Sequence, residues 1–126
     1  MGNDIRRIIW FEDLKRGDVA TVGGKNASLG EMVGALAQHG IRVPPGFATT
    51  ADAFREYLAT NRLDDTIAAI SQQLDDGKTS LHEAGGEIRK AILAGEFPAE
   101  MRGALLEAYR ELATRTGSAE PAVAVR

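Results

Sequence analysis

The sequence predicts a helix-rich α+β fold. Five stretches repeat apolar residues at the three- and four-residue spacing of an amphipathic helix. Short runs with the composition of β-strands occur only at 8–11, 47–48 and 123–125. Because a strand needs a partner and so few are available, the 126 residues are expected to form the truncated front part of a larger domain.

Composition excludes several classes of function. The formal net charge of −3 leaves no general basic surface for nucleic acid. The absence of cysteine excludes disulfides, thiolate metal sites and a cysteine nucleophile. Only His39 and His82 are histidines, which argues against a multi-histidine metal site. No apolar segment has the features of a signal peptide or a membrane span, so we expect a cytoplasmic protein with no membrane partner.

The first half of the chain alternates loops with two helices. Residues 1–7 are polar and expected to be flexible, and 12–19 are expected to form a loop with one helical turn. A helix is predicted to begin between Asn26 and Ser28, since Ser28 and Glu31 have capping-box spacing, and to end at Gly40. A second helix is predicted to begin with Thr49 as its cap and to end near 61.

The second half predicts three further helices, each with one apolar face. The second of these is capped by Ser80, the third begins with Pro98 at its first position, and Gly117 lies at the end of that third helix. The predicted inward faces are Leu63, Ile67, Ile70 and Leu74; Leu81, Ala84, Ile88 and Ile92; and Met101, Leu105, Ala108 and Leu112.

The candidate ligand site is the turn at Gly23, Gly24 and Lys25. Glycines let the backbone approach a ligand closely, the N–H groups that begin a helix favour negative charge, and a lysine adds a mobile cation. The pattern therefore suggests a phosphate contact, although the Walker A spacing is absent and the same residues occur in ordinary turns.

The remaining polar clusters have structural explanations. The acidic pairs 64–65 and 75–76 lie at predicted helix ends, where they act as caps rather than as metal ligands. His39 suits the last turn of a helix, and His82 suits a helix surface.

Four motifs carry a resemblance to a known family. Residues 9–11, 22–32, 43–54 and 123–126 resemble the start of the phosphoenolpyruvate synthase (pyruvate, water dikinase) family. The glycine–lysine block followed by Val-Pro-Pro-Gly-Phe is specific as an ordered pair. Pyruvate, phosphate dikinase and rifampicin phosphotransferase share this region, but Asn-Ala-Ser-Leu-Gly-Glu-Met and the Ala-Thr-Thr-Ala-Asp-Ala-Phe block favour the synthase.

The resemblance implies the first lobe of an ATP-grasp domain. In the family, the lysine equivalent to Lys25 reaches the ATP phosphates, and the arginine equivalent to Arg126 contacts the triphosphate. The family converts ATP, pyruvate and water into phosphoenolpyruvate, AMP and phosphate. It uses Mg²⁺, a phosphohistidine on a central domain and a C-terminal barrel that binds pyruvate.

The parts that complete this reaction are absent from the sequence. The second ATP-grasp lobe with its Mg²⁺-binding carboxylates, the histidine domain and the barrel are missing. We therefore expect no catalytic and no metal-binding residue here, and an inactive fragment that binds ATP weakly if at all.

A second hypothesis is that the chain is a non-enzymatic helical module that binds another protein. The helical stripes at 63–74 and 101–112 would then face a partner protein, and uncovered apolar surface would promote self-association. Such a module would be indifferent to nucleotide.

Overall fold

The structure is a computed structural model that describes residues 5–126. Its helices and strands follow the order β1 (Ile8–Trp10), α1 (Val19–Val22), α2 (Gly24–Gln38), β2 (Phe47–Thr49), α3 (Ala51–Thr60), α4 (Leu63–Asp75), α5 (Leu81–Ala94) and α6 (Ala99–Thr116). Two 3-10 turns, Phe11–Asp13 and Arg16–Asp18, connect β1 to α1. The predicted α+β, helix-rich class is confirmed.

The described residues divide into two compact units. The first contains the residues up to 53 together with those from 99 onward, and the second contains 54–98. The candidate site lies in the first unit.

A two-stranded antiparallel sheet organises the first unit. Ile9 pairs with Ala48 at its centre, and both are buried. The rest of a small core lies around this pair: Leu14 comes from the connection between the two 3-10 turns, Val22 from α1 and Ala27 from α2, and Phe11 packs against them. The sheet therefore fixes the chain on both sides of α2.

Thr50 caps α3 and joins it to the start of the chain. Its hydroxyl accepts a hydrogen bond from the Ala53 N–H at 3.1 Å and donates to the Arg6 carbonyl at 2.6 Å, while its N–H donates to the Arg7 carbonyl. The prediction of Thr49 as the cap is wrong, because Thr49 is still the last residue of β2. Flexibility of 1–7 stays a prediction, and its first four residues lie outside the described part.

In the second unit α4 packs against α5. Leu63, Ile70 and Ala84 are buried as predicted, and the Ser80 hydroxyl accepts the Glu83 N–H at 3.1 Å as the predicted cap. Leu81 does not belong to the core: it is 76% exposed, because it lies at the first position of α5 beside the exposed connection from α4.

The last helix, α6, belongs to the first unit. It buries Met101, Ala108 and Leu112, which confirms the predicted face, and begins at Ala99, one residue later than expected.

The predicted strand at 123–125 is wrong. Residues 121–126 have no regular structure, and Val125 is 90% exposed. Among residues 5–126 the sheet contains only β1 and β2, and residues 123–125 pair with neither strand. None of the helices in that range is both long and apolar enough to cross a bilayer.

Candidate functional site

Gly23, Gly24 and Lys25 form the junction between α1 and α2. Gly23 has φ 86° and ψ 159°, a backbone conformation that is essentially restricted to glycine. It ends α1 and acts as the N-cap of α2, which begins at Gly24. The predicted start between Asn26 and Ser28 is therefore wrong. A glycine N-cap has no capping side chain by which the sequence could indicate the start of the helix. Ser28, the predicted cap, is an exposed residue inside the helix.

The break at Gly23 removes three hydrogen bonds from a continuous helical ladder. The Gly23 N–H donates to the Val19 carbonyl at 2.7 Å, and the Ala27 N–H donates to the Gly23 carbonyl at 3.1 Å. Between them, the backbone N–H groups of Gly24, Lys25 and Asn26 have no acceptor among residues 5–126. We call this segment, 23–26, the corner.

The corner favours negative charge and is open to solvent. Three consecutive N–H donors lie at the positive end of a 15-residue helix, and no acidic residue occupies its first turn. A Cβ added at Gly24 would meet no heavy atom of residues 5–126 within 4 Å, so there is open space beside that glycine in the described part of the chain. Lys25 is exposed and makes no ion pair with any of residues 5–126. Its ammonium is available to an external anion.

Close packing behind the corner holds α2 in place. Ala27 is 1% exposed, and Gly30 is buried. A Cβ added at Gly30 would overlap the side chain of Leu14 and lie 3.0 Å from the carbonyl oxygen of Phe11. Sequence analysis missed this contact; the available signal was a glycine placed inside an amphipathic helix. By contrast, Met32 in the same helix is 45% exposed.

Arg126 lies in the irregular segment after α6. It is exposed, and no hydrogen bond or ion pair within residues 5–126 connects it to the corner. The structure brings Gly23, Gly24 and Lys25 together and does not add Arg126 to them.

A separate open groove of about 610 Å³ runs between β1 and α6. Arg115 lies over the Trp10 ring there, 3.9 Å from its centroid, and is paired with Glu12 and Glu111. Arg7, also in the groove, is paired with Glu100 at 2.8 Å. These two arginines are balanced by carboxylates, and none of the predicted site residues lines the groove.

The acidic and histidine residues do not form a metal centre in the described part of the chain. No three such side chains converge within residues 5–126. The pairs 64–65 and 75–76 are exposed at the two ends of α4, His39 is the C-cap of α2, and His82 is exposed in the first turn of α5.

An anion-facing helix start with a free lysine is a feature of nucleotide-binding domains. The family model described as "Pyruvate phosphate dikinase, AMP/ATP-binding domain" matches residues 19–126, which include the corner and Arg126. The chain belongs to this family of AMP/ATP-binding domains.

Relatives within the family are similar over most of this chain. The phosphoenolpyruvate synthase of Neisseria meningitidis serogroup B is 46% identical over 120 residues, covering 94% of this chain and 15% of the relative. The phosphoenolpyruvate synthase of Deinococcus radiodurans is 46% identical over 92% of this chain and 14% of its own length. A probable phosphoenolpyruvate synthase of Methanocaldococcus jannaschii is 42% identical over 99% of this chain and 10% of its own. The chain thus matches about one-seventh of the first two relatives' length.

Proposed function

We propose that the corner binds the phosphates of ATP. The observation that carries this proposal is that three N–H groups and a lysine, none of which has a partner among residues 5–126, lie together within the region matched by an AMP/ATP-binding family. Phosphate oxygens would accept from the N–H groups of Gly24, Lys25 and Asn26, and the Lys25 ammonium would neutralise charge. Gly24, lacking a Cβ, would let the phosphate come close to the backbone.

The test is an ATP titration of the chain followed by amide NMR shifts. Wild type is compared with Lys25→Ala and with Lys90→Ala, which removes the same charge from an exposed position on α5. We expect saturable shifts at 23–26 in wild type and Lys90→Ala, and at least a tenfold loss of affinity in Lys25→Ala. A folded wild-type chain without shifts at 23–26, or equal binding by the two lysine variants, would refute the assignment.

Arg126 is proposed as a second phosphate contact. Its support is the resemblance of the 123–126 segment to the family motif, together with its exposed cationic side chain. Arg126→Ala should weaken ATP binding, whereas Arg102→Ala, at an exposed site on α6, should not. Equal affinities would remove Arg126 from the site.

We also propose that the chain is the first lobe of an ATP-grasp domain in a cytoplasmic phosphoenolpyruvate synthase. The names of its relatives support the reaction, in which ATP, pyruvate and water give phosphoenolpyruvate, AMP and phosphate. The residues described here do not form a site for Mg²⁺. Its ligands, the other ATP-grasp lobe, the phosphohistidine domain and the pyruvate-binding barrel would lie in other parts of the full-length protein.

This assignment predicts that the chain binds ATP without catalysing the reaction of the full-length protein. The 126-residue chain should bind ATP and release no AMP when pyruvate is added. Pyruvate-dependent AMP formation by this chain alone would show that the catalytic parts do not lie elsewhere in the full-length protein, contrary to this assignment.

A further inference from the structure

We propose that Asn26 is a positioning residue that holds the corner open for phosphate. Its side chain takes over the hydrogen bond that its own backbone N–H would make in an unbroken helix. This inference rests on the proposed function, because it concerns the same three N–H groups.

The Val22 carbonyl keeps a hydrogen-bond partner despite the break at Gly23. In a helix running from 19 to 38, the Asn26 N–H would donate to that carbonyl four residues earlier. The break at Gly23 removes this bond, yet the Asn26 side-chain amide donates to the same Val22 carbonyl oxygen at 2.9 Å. The side-chain donor therefore replaces the backbone donor of the same residue.

Gly23 permits the break between the two helices without enforcing it. Glycine adopts helical as well as positive-φ backbone conformations, so the same sequence could form one continuous helix. That alternative would use the three N–H groups of the corner in ordinary helical bonds. Asn26 favours the broken form, because its side chain satisfies a carbonyl that would otherwise lose its partner.

The same exchange of donors adds a free N–H group to the corner. Freed from Val22, the Asn26 N–H becomes the last of three consecutive donors at the start of α2. A triphosphate presents several oxygens to such a row, and each hydrogen bond to a charged oxygen is stronger than a neutral one. Asn26 would thus contact the ligand through its backbone while its side chain stays inside the protein.

The experiment compares Asn26→Ala with Asn26→Ser in the 126-residue chain. Alanine removes the side-chain donor. Serine keeps one, because a serine hydroxyl in a helix can donate to the carbonyl four residues earlier. Amide hydrogen exchange at residue 26 reports directly on whether its N–H is free, and ATP titration reports on binding.

We expect fast exchange at residue 26 in wild type and in Asn26→Ser, and at least tenfold slower exchange in Asn26→Ala as its N–H turns to Val22. ATP affinity should fall roughly tenfold in Asn26→Ala and no more than about threefold in Asn26→Ser. A residue that only stabilised the fold would change the unfolding temperature without slowing exchange at its own amide.

Equal exchange rates at residue 26 in all three proteins would overturn the proposal, as would equal ATP affinities. If wild type shows no response to ATP, the proposed function fails and the phosphate role of Asn26 fails with it. The exchange rates still decide separately whether the side chain replaces the backbone donor.

Discussion

Gly30 offers a sharp test of how α2 is held behind the corner. Gly30→Ala places a methyl group against the Leu14 side chain and two backbone carbonyl oxygens, at 3.0 Å from Phe11 and 3.1 Å from Leu14. Because backbone atoms are among the neighbours, a rotamer change cannot relieve the overlap. Gly34 in the same helix is the matched control, since it is exposed and a Cβ there would meet nothing within 4 Å.

The expected magnitudes follow from two opposing effects. Alanine in place of glycine inside a helix stabilises by about 1 kcal/mol. Overpacking of a close contact costs about 3 kcal/mol at the upper end of its usual range. Gly30→Ala should therefore lower the free energy of unfolding by about 2 kcal/mol, whereas Gly34→Ala should raise it by about 1 kcal/mol.

The assay is thermal unfolding followed by far-UV circular dichroism and by the fluorescence of Trp10. At about 4 °C per kcal/mol, Gly30→Ala should unfold roughly 8 °C below wild type and Gly34→Ala roughly 4 °C above it. A Gly30→Ala protein as stable as wild type would refute the packing of α2 against Leu14 and Phe11.

Three further predictions concern the caps, the backbone and one ion pair. Arg62 has φ 53°, the only positive φ at a non-glycine among residues 5–126, so Arg62→Gly should raise the free energy of unfolding in urea by about 0.5 kcal/mol; a loss would contradict this. Ser80→Ala removes the cap of α5 and should cost about 1 kcal/mol in the same assay, and an unchanged midpoint would show that the cap contributes nothing. Burial raises the pKa of Glu12, but the hydrogen bond from Arg115, a backbone hydrogen bond and the charge of Arg115 lower it by more. The pKa of Glu12 in the folded protein is therefore below its ordinary value. The stabilisation that the ionised Glu12 gives the fold is therefore present above the unfolded-state pKa and is lost as pH falls through the folded-state pKa. Below about pH 4, wild type should lose slightly more stability than Glu12→Gln, measured by unfolding followed with Trp fluorescence. Parallel curves of stability against pH for the two proteins would refute this.

The helices with strong periodicity could be predicted because their cause is local. The stripe that contains Leu63 and Ile70 specifies α4, and Ser80 with Glu83 specifies the start of α5. Gly40 and Gly117, with φ of 71° and 70°, lie just after helices where the sequence placed them.

The errors have non-local or hidden causes. Ser28 and Glu31 have the spacing of a capping box, but the residue that starts α2 is Gly23. Gly23 acts through its backbone conformation, which no side-chain pattern in the sequence indicates. Val123 and Val125 alternate as strand residues do, yet pairing depends on another strand, which local sequence does not supply.

The candidate site could be predicted in part. Gly23, Gly24 and Lys25 were identified from their residue types, and the structure places them at one helix start. The role proposed for Asn26 depends on which carbonyl the break leaves without a partner, and that follows only from the hydrogen bonds.

The pairing of β1 with β2 has a consequence for the order of folding. Ile9 and Ala48 are 39 positions apart (48 minus 9), so their pairing closes a long loop at an entropic cost on the order of 3 kcal/mol. The helices α4 and α5 are neighbours in sequence and pay no comparable cost. Contacts of high sequence separation form slowly, so the second unit should gain its helices before the sheet closes. The corner lies inside that loop, and a refolding chain should therefore recover its helix signal first and its response to ATP only with the sheet.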